Sequence, residues 1–90
     1  PQAQWYGQDI YPDLDTKAAA LLLALVGNGP LVEGSKRMGW IATRLFYVLN
    51  GRDLRMPHDE VRSLVTRIAA GEEDDVAVVA ATLRRYVDAV

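Results

Sequence analysis

The sequence predicts an all-α fold, a small bundle of about four helices, and three observations carry the prediction. Apolar residues recur at the 3.6-residue period of a helix in four successive stretches. Gly27, Gly51 and Gly71 stand where three of those periods end, the place at which a helix-stopping residue is expected. No stretch reads as a strand: residues 76–79 have the composition of one, but the acids at 72–75 precede them and the helical period continues beyond.

Residues 1–14 mix Trp5, Tyr6 and Tyr11 with glycine, glutamine and proline and show no helical period, so they form an extended lead-in, after which Asp13 or Asp15 caps the first helix. That helix runs from about Thr16 to Val26 and is apolar nearly all round, as a helix buried on most sides must be; Gly27 is expected to stop it in a left-handed conformation. The second helix begins near Gly34 or Ser35 and runs to Asn50, with Gly51 as its stop and Met38, Ile41, Ala42, Leu45 and Leu49 as its stripe. Trp40, Tyr47 and Val48 occupy its other faces, which makes this helix central and assigns Trp40 and Tyr47 to the core. Pro57 opens the third helix, where Asp59 and Glu60 suit the positive end of the dipole, and Val61, Leu64, Val65 and Ile68 form its stripe. Gly71 ends it. The acids at 72–75 start the fourth helix, whose stripe is Val76, Val79, Ala80, Leu83 and Val87.

Ninety residues are enough for one core, so a single domain is expected over residues 1–90. A formal charge of −2 offers nucleic acid and anionic lipid no bulk attraction, so an anion site must be local. The absence of cysteine excludes disulfides and thiolate chemistry and fits a cytoplasmic location. The longest apolar run, Ala18 to Val26, is nine residues, well under the roughly 20 that a membrane-spanning helix needs.

Between the first two helices lies GNGPLVEGSKR, residues 27–37. Helix starts ordinarily gather acids, but here Lys36 and Arg37 gather at one, and they oppose the dipole unless an anion lies between them and the free backbone amides. A glycine-bearing turn leading into a helix lets N–H groups converge on a phosphate, to which lysine and arginine add charge and directional donors. Glu33 is placed to hold a Mg²⁺ sharing the same oxygens. The plainer alternative is a Gly-Pro turn with two solvated cations. The segment is not a Walker A loop, because the order Gly34-Ser35-Lys36 sets the lysine one place late and no strand precedes it.

The stretch resembles the signature of the Fic/Doc family, which runs His, Pro, Phe, any residue, Asp or Glu, Gly or Ala, Asn, Gly or Lys, Arg. The likeness extends to YPDL and KAAALLLALV upstream, to LNG at the end of the second helix, and to AAGEEDDVAVVAATLRRY downstream. Lys36 in the penultimate motif place points to the death-on-curing (Doc) branch. The resemblance implies a Fic/Doc-like bundle lacking the family's N-terminal helix, hence a truncated domain with apolar helix faces left for another chain to cover. It implies a toxin of a toxin–antitoxin pair that transfers a phosphoryl or AMP group from ATP or another nucleoside triphosphate, with Mg²⁺, to a protein hydroxyl such as one on a translation factor. Its partner would be a Phd-type antitoxin or another protein, with self-association as a further way to cover those faces; neither nucleic acid nor membrane is implied.

By the same resemblance Glu33 is the metal-binding acid, Gly34, Ser35, Lys36 and Arg37 are the phosphate-contacting residues, and Trp5, Tyr6 and Tyr11 fall where relatives carry a target-docking flap. Ser35 replaces the family's asparagine and Leu31 its phenylalanine. Gly29 stands where the family has the histidine that takes the proton from the attacking hydroxyl, and glycine has no group to accept one. The transferase is therefore expected to be inactive, and the alternative is a catalytically dead protein-interaction module on the same fold. His58, the chain's one histidine, begins the third helix and is read as a surface or capping residue, not as a substitute base.

Overall fold

A computed structural model describes residues 13–27 and 33–89 of the chain; of residues 33–35 and 89 it describes the backbone alone. Asp13 starts the first helix, α1 (Leu14–Leu22), by accepting the Thr16 N–H at 2.7 Å, a bond that holds its carboxyl below the ordinary value of 3.8. Asp13 is thus the cap, and Asp15 has a different task. Its carboxylate accepts from the Tyr47 hydroxyl at 2.7 Å and from Arg84 Nε at 3.0 Å, joining three helices at one point.

The helix does not stop at a left-handed Gly27. It widens into a π turn over Leu23–Gly27, and the glycines of positive φ among the described residues are Gly51 and Gly71 alone. The expectation for Gly27 is therefore corrected, while those for Gly51 and Gly71 hold, with φ values of 75° and 79° that a Cβ would strain. The π turn brings Val26 onto the second helix, α2 (Glu33–Leu49), at Gly39.

α2 starts one residue earlier than the sequence suggests and buries a different face. Gly39, Thr43 and Tyr47 point into the core, while Met38, Ile41, Leu45, Val48 and Leu49 are 50–76% exposed. The apolar stripe at 38, 41, 45 and 49 is thus the outer face, and Ala42 alone of its members is half-buried. Close approach explains the inversion: glycine, a threonine bonded to its own helix (Thr43 Oγ1 to the Gly39 carbonyl, 2.8 Å) and a tyrosine with a buried acceptor let α1 lie tightly on this side. Tyr47 belongs to the core as expected; Trp40 is only half-buried.

After Gly51 the chain forms a three-residue strand, β1 (Arg52–Leu54), which pairs antiparallel with β2 (Val87–Ala89) in the register Arg52–Ala89, Asp53–Asp88 and Leu54–Val87. No strand was expected, and Val87 was assigned to the fourth helix; both readings are corrected. The opposed acids Asp53 and Asp88 are offset by Arg55, whose Nε donates to Asp53 at 2.7 Å, and by Arg44 at 3.8 Å. The third helix, α3 (His58–Ala69), buries Leu64, Val65 and Ile68; the fourth, α4 (Val76–Arg84), is capped by Asp75, which accepts from Ala77 and Val78, and buries Val79, Ala80 and Leu83. α1 lies at the centre, packed on α2 and α4, and its π turn meets α3. No helix among the described residues is long and apolar enough to cross a membrane.

Candidate functional site

Residues 28–32, with Gly29, Pro30 and Leu31, lie outside the described residues, as do Trp5, Tyr6 and Tyr11. Of the candidate cradle the described residues include only the helical half. With α2 beginning at Glu33, the amides of its first turn that lack an intrahelical acceptor include those of Gly34 and Ser35. Lys36 and Arg37 are the fourth and fifth residues of the helix, at the junction of its first and second turns, a little further in than the first-turn place the sequence suggested. Helical side chains lean toward the N-terminus, so both lean toward that end. Glu33 is the first helical residue, the place an acid suits the dipole.

A cleft of about 190 Å³ opens beside this helix end, between α2 and α3. α2 contributes Lys36, Arg37 and Trp40, one helical turn apart; α3 contributes His58, Arg62 and Thr66, again one turn apart, over a floor of Val61 and Val65. Among the described residues, no ion pair or side-chain hydrogen bond engages Arg37 or Arg62. Arg44 and Arg55 differ, being held by Asp53. They line a second cleft of about 220 Å³, which adjoins the first at Trp40, His58 and Val61. A third cleft, about 360 Å³, lies between the π turn and the α3–α4 link, but its rim carries Glu73 and Asp74 and does not suit an anion.

Chemically, the first cleft offers two exposed guanidinium groups, a lysine, a half-buried indole and a hydroxyl, a set suited to an anion that carries a flat apolar part. It has no proton acceptor positioned as a base except His58, which is exposed at the start of α3. No group of three or more His, Cys, Asp or Glu among the described residues is arranged to hold a metal.

The sequence reading singled out Lys36 and Arg37 but missed Arg62 and Thr66, and gave Trp40 to the core and His58 to the surface. A signal for them exists. His58, Arg62 and Thr66 repeat every four residues along α3, as do Lys36, Trp40 and Arg44 along α2, so each row keeps to one face of its helix and lines the clefts between them.

Compared with known proteins, the chain is 41% identical over 91 residues to Toxin Doc of Mycolicibacterium smegmatis, an alignment spanning 99% of this chain and 69% of that protein. The chain belongs to the Doc family. No family model matches it, and no solved structure matches it significantly. Membership in the Doc family agrees with the helical architecture, and it extends along the chain from α1 to β2, beyond the short motif that first suggested it.

Proposed function

We propose that the chain is a Doc-type toxin domain of a toxin–antitoxin pair, cytoplasmic, built to hold a nucleoside triphosphate at the α2 N-terminus and lacking the base that the transfer needs. The observation that carries this reading is the 41% identity to Toxin Doc across 99% of the chain. In the reaction, a hydroxyl oxygen of a protein target, such as a translation factor, attacks a nucleotide phosphorus. The new O–P bond forms as the P–O bond to the leaving group breaks, the nucleoside diphosphate in phosphoryl transfer or pyrophosphate in AMP transfer, and the hydroxyl proton must pass to a base. The amides of Gly34 and Ser35 and the side chains of Lys36 and Arg37 would hold the phosphate oxygens. Glu33 would hold a Mg²⁺, which would neutralise charge on those oxygens. Gly29 supplies no proton acceptor.

The unaltered chain is therefore expected to show no transfer of label from γ-labelled or α-labelled ATP to proteins of a bacterial lysate. Gly29→His is expected to restore part of the roughly 10²–10⁴-fold that a positioned base contributes, with the labelled position telling kinase from AMP-transferase. Equal labelling by the two proteins would sink the assignment of Gly29 to the base position.

A second reading, the interaction module without catalysis, is favoured by the exposed face of α2. Met38, Ile41, Leu45 and Val48 are spaced three, four and three residues apart, the seam of one helix packing on another, and each is at least half exposed. A Phd-type antitoxin helix laid on that seam would serve either reading. Failure of the Gly29→His variant to bind any nucleotide would leave the interaction module as the function.

A further inference from the structure

We propose that Thr66 is a phosphorylation site, and that a phosphate placed on it is gripped by Arg62 and Arg37 and closes the cleft beside the α2 N-terminus. The effect on anion binding rests on the reading of that helix end as a phosphate site; the modification and the grip do not.

The hydroxyl is uncommitted. Thr43 and Thr82 turn theirs back onto the carbonyls of Gly39 and Val78, at 2.8 and 3.0 Å, whereas the Thr66 hydroxyl makes no hydrogen bond among the described residues. Thr66 is exposed and belongs to the last turn of α3, where a helix opens most readily to the extended form that a protein kinase takes up. Its surroundings fit a phosphate. Thr66 shares its cleft with Lys36, Arg37 and Arg62, and no carboxylate among the described residues lines it. Arg62 stands one helical turn before Thr66, the spacing at which side chains meet, and Arg37 lines the cleft from α2. Neither arginine has an ion pair to break among the described residues, and paired guanidinium N–H groups are the donors that phosphate oxygens accept best. Ser63 supplies the contrast: it is exposed on the same helix but lines neither of the two clefts beside α2.

The step is phosphoryl transfer by a protein kinase. Thr66 Oγ1 bonds to the γ-phosphorus of ATP, the bond to the departing ADP breaks, and the hydroxyl proton passes to the kinase's base. The sign of the effect on stability then discriminates between a gripped and a free phosphate. The dipole at the C-terminal end of α3 opposes an anion, and Glu72, Glu73 and Asp74 follow that end. A phosphate left to itself there destabilises the chain, and one held by two arginines stabilises it.

The test installs phosphothreonine at position 66 of the full chain during synthesis and compares it with the unmodified chain by thermal unfolding and by calorimetry with inorganic tripolyphosphate. The thermal midpoint is expected to rise by about 4–8 °C, the shift that one charge-assisted pair gives a domain of this size. The exposed Arg62→Ala is expected to remove at least half of that rise and to leave the unmodified chain's midpoint nearly unchanged. Tripolyphosphate is expected to bind the phosphorylated chain about tenfold more weakly, and to bind Thr66→Val as it binds the unmodified chain. In a lysate of the bacterium that encodes the chain, supplied with γ-labelled ATP, the chain is expected to take label on Thr66, and Thr66→Val to take none. A fall in the midpoint, or a rise that Arg62→Ala leaves intact, would overturn the grip; label on Ser63, or on neither residue, would overturn the site. Tripolyphosphate that binds both forms alike overturns the closure of the cleft. Tripolyphosphate that binds neither form strikes the phosphate-site reading instead, while the midpoints and the label still decide the grip and the site.

Discussion

Asp15 shows how far a single residue's role can differ from its place in the sequence. It follows the capping Asp13 by two positions, yet it caps nothing: its two oxygens take the Tyr47 hydroxyl and Arg84 Nε, and Arg84 also reaches Asp13 at 3.5 Å. Tyr47 has no exposed surface, and burial first, then the hydrogen bond and charge of Asp15, push its titration far above the ordinary 10.0. The unfolded tyrosine releases its proton near 10 while the folded one keeps it. The stabilisation from this group is therefore complete below pH 10 and is lost as the pH rises above it. Tyr47→Phe is expected to cost about 1 kcal/mol at neutral pH, by leaving Asp15 one donor short, and to make the alkaline loss of stability shallower. Urea unfolding from pH 7 to 11 measures both, and parallel pH profiles for the two proteins would contradict this role. A cap at Asp13 or Asp15 was legible because capping is local, and the structure chose Asp13; the bond from Tyr47 to Asp15 spans 32 residues and no spacing rule announces it.

At the scale of elements, what the sequence conveyed poorly was the contact between them. Gly39 reads as an unremarkable helix glycine, but a Cβ there would stand 2.6 Å from Val26 Cγ2 and 3.3 Å from Leu25 Cβ, so its absence sets how closely the π turn meets α2. Gly39→Ala gains up to about 1 kcal/mol of helix propensity. It also forces a methyl into a branched side chain with little room to give, at about 1–3 kcal/mol. Net destabilisation is expected, read as a lower thermal midpoint, whereas a midpoint equal to or above that of the unaltered chain would show that the turn shifts freely. The β1–β2 pair escaped notice for a related reason. Three residues carry too little alternation to register, and the pairing depends on Gly51 turning the chain back and on Arg55 balancing two facing acids.

Across the whole molecule, the distribution of apolar surface is uneven. The core gathers α1, the inner face of α2, α3 and α4, while Met38, Ile41, Leu45, Val48 and Leu49 remain on the outside of α2. An apolar row of this kind is a docking face more often than an accident. Ile41→Glu and Leu45→Glu are each expected to change stability by no more than about 0.5 kcal/mol, as exposed positions do, and to abolish co-purification with an antitoxin encoded beside the chain. If both variants still co-purify, the partner binds elsewhere; if either unfolds, the face is packed within the chain itself.

Period, punctuation and caps in the sequence determined the four helices, the stops at Gly51 and Gly71, a cap at Asp13 or Asp15 and the Doc resemblance, because each depends on residues within a few positions of one another. The tertiary structure decided which face of α2 turns inward. Hydrophobicity favours the stripe at Met38, Ile41 and Leu45, but close packing at Gly39 and the satisfied hydroxyl of Tyr47 fix the opposite side against α1. It also decided the cation-walled cleft, since Lys36 and Arg37 come from one helix and His58 and Arg62 from another, and only the packing of α2 on α3 brings them to one cleft. A linear pattern records how each helix is made; which polar stripes meet depends on the angle and direction at which the helices pack.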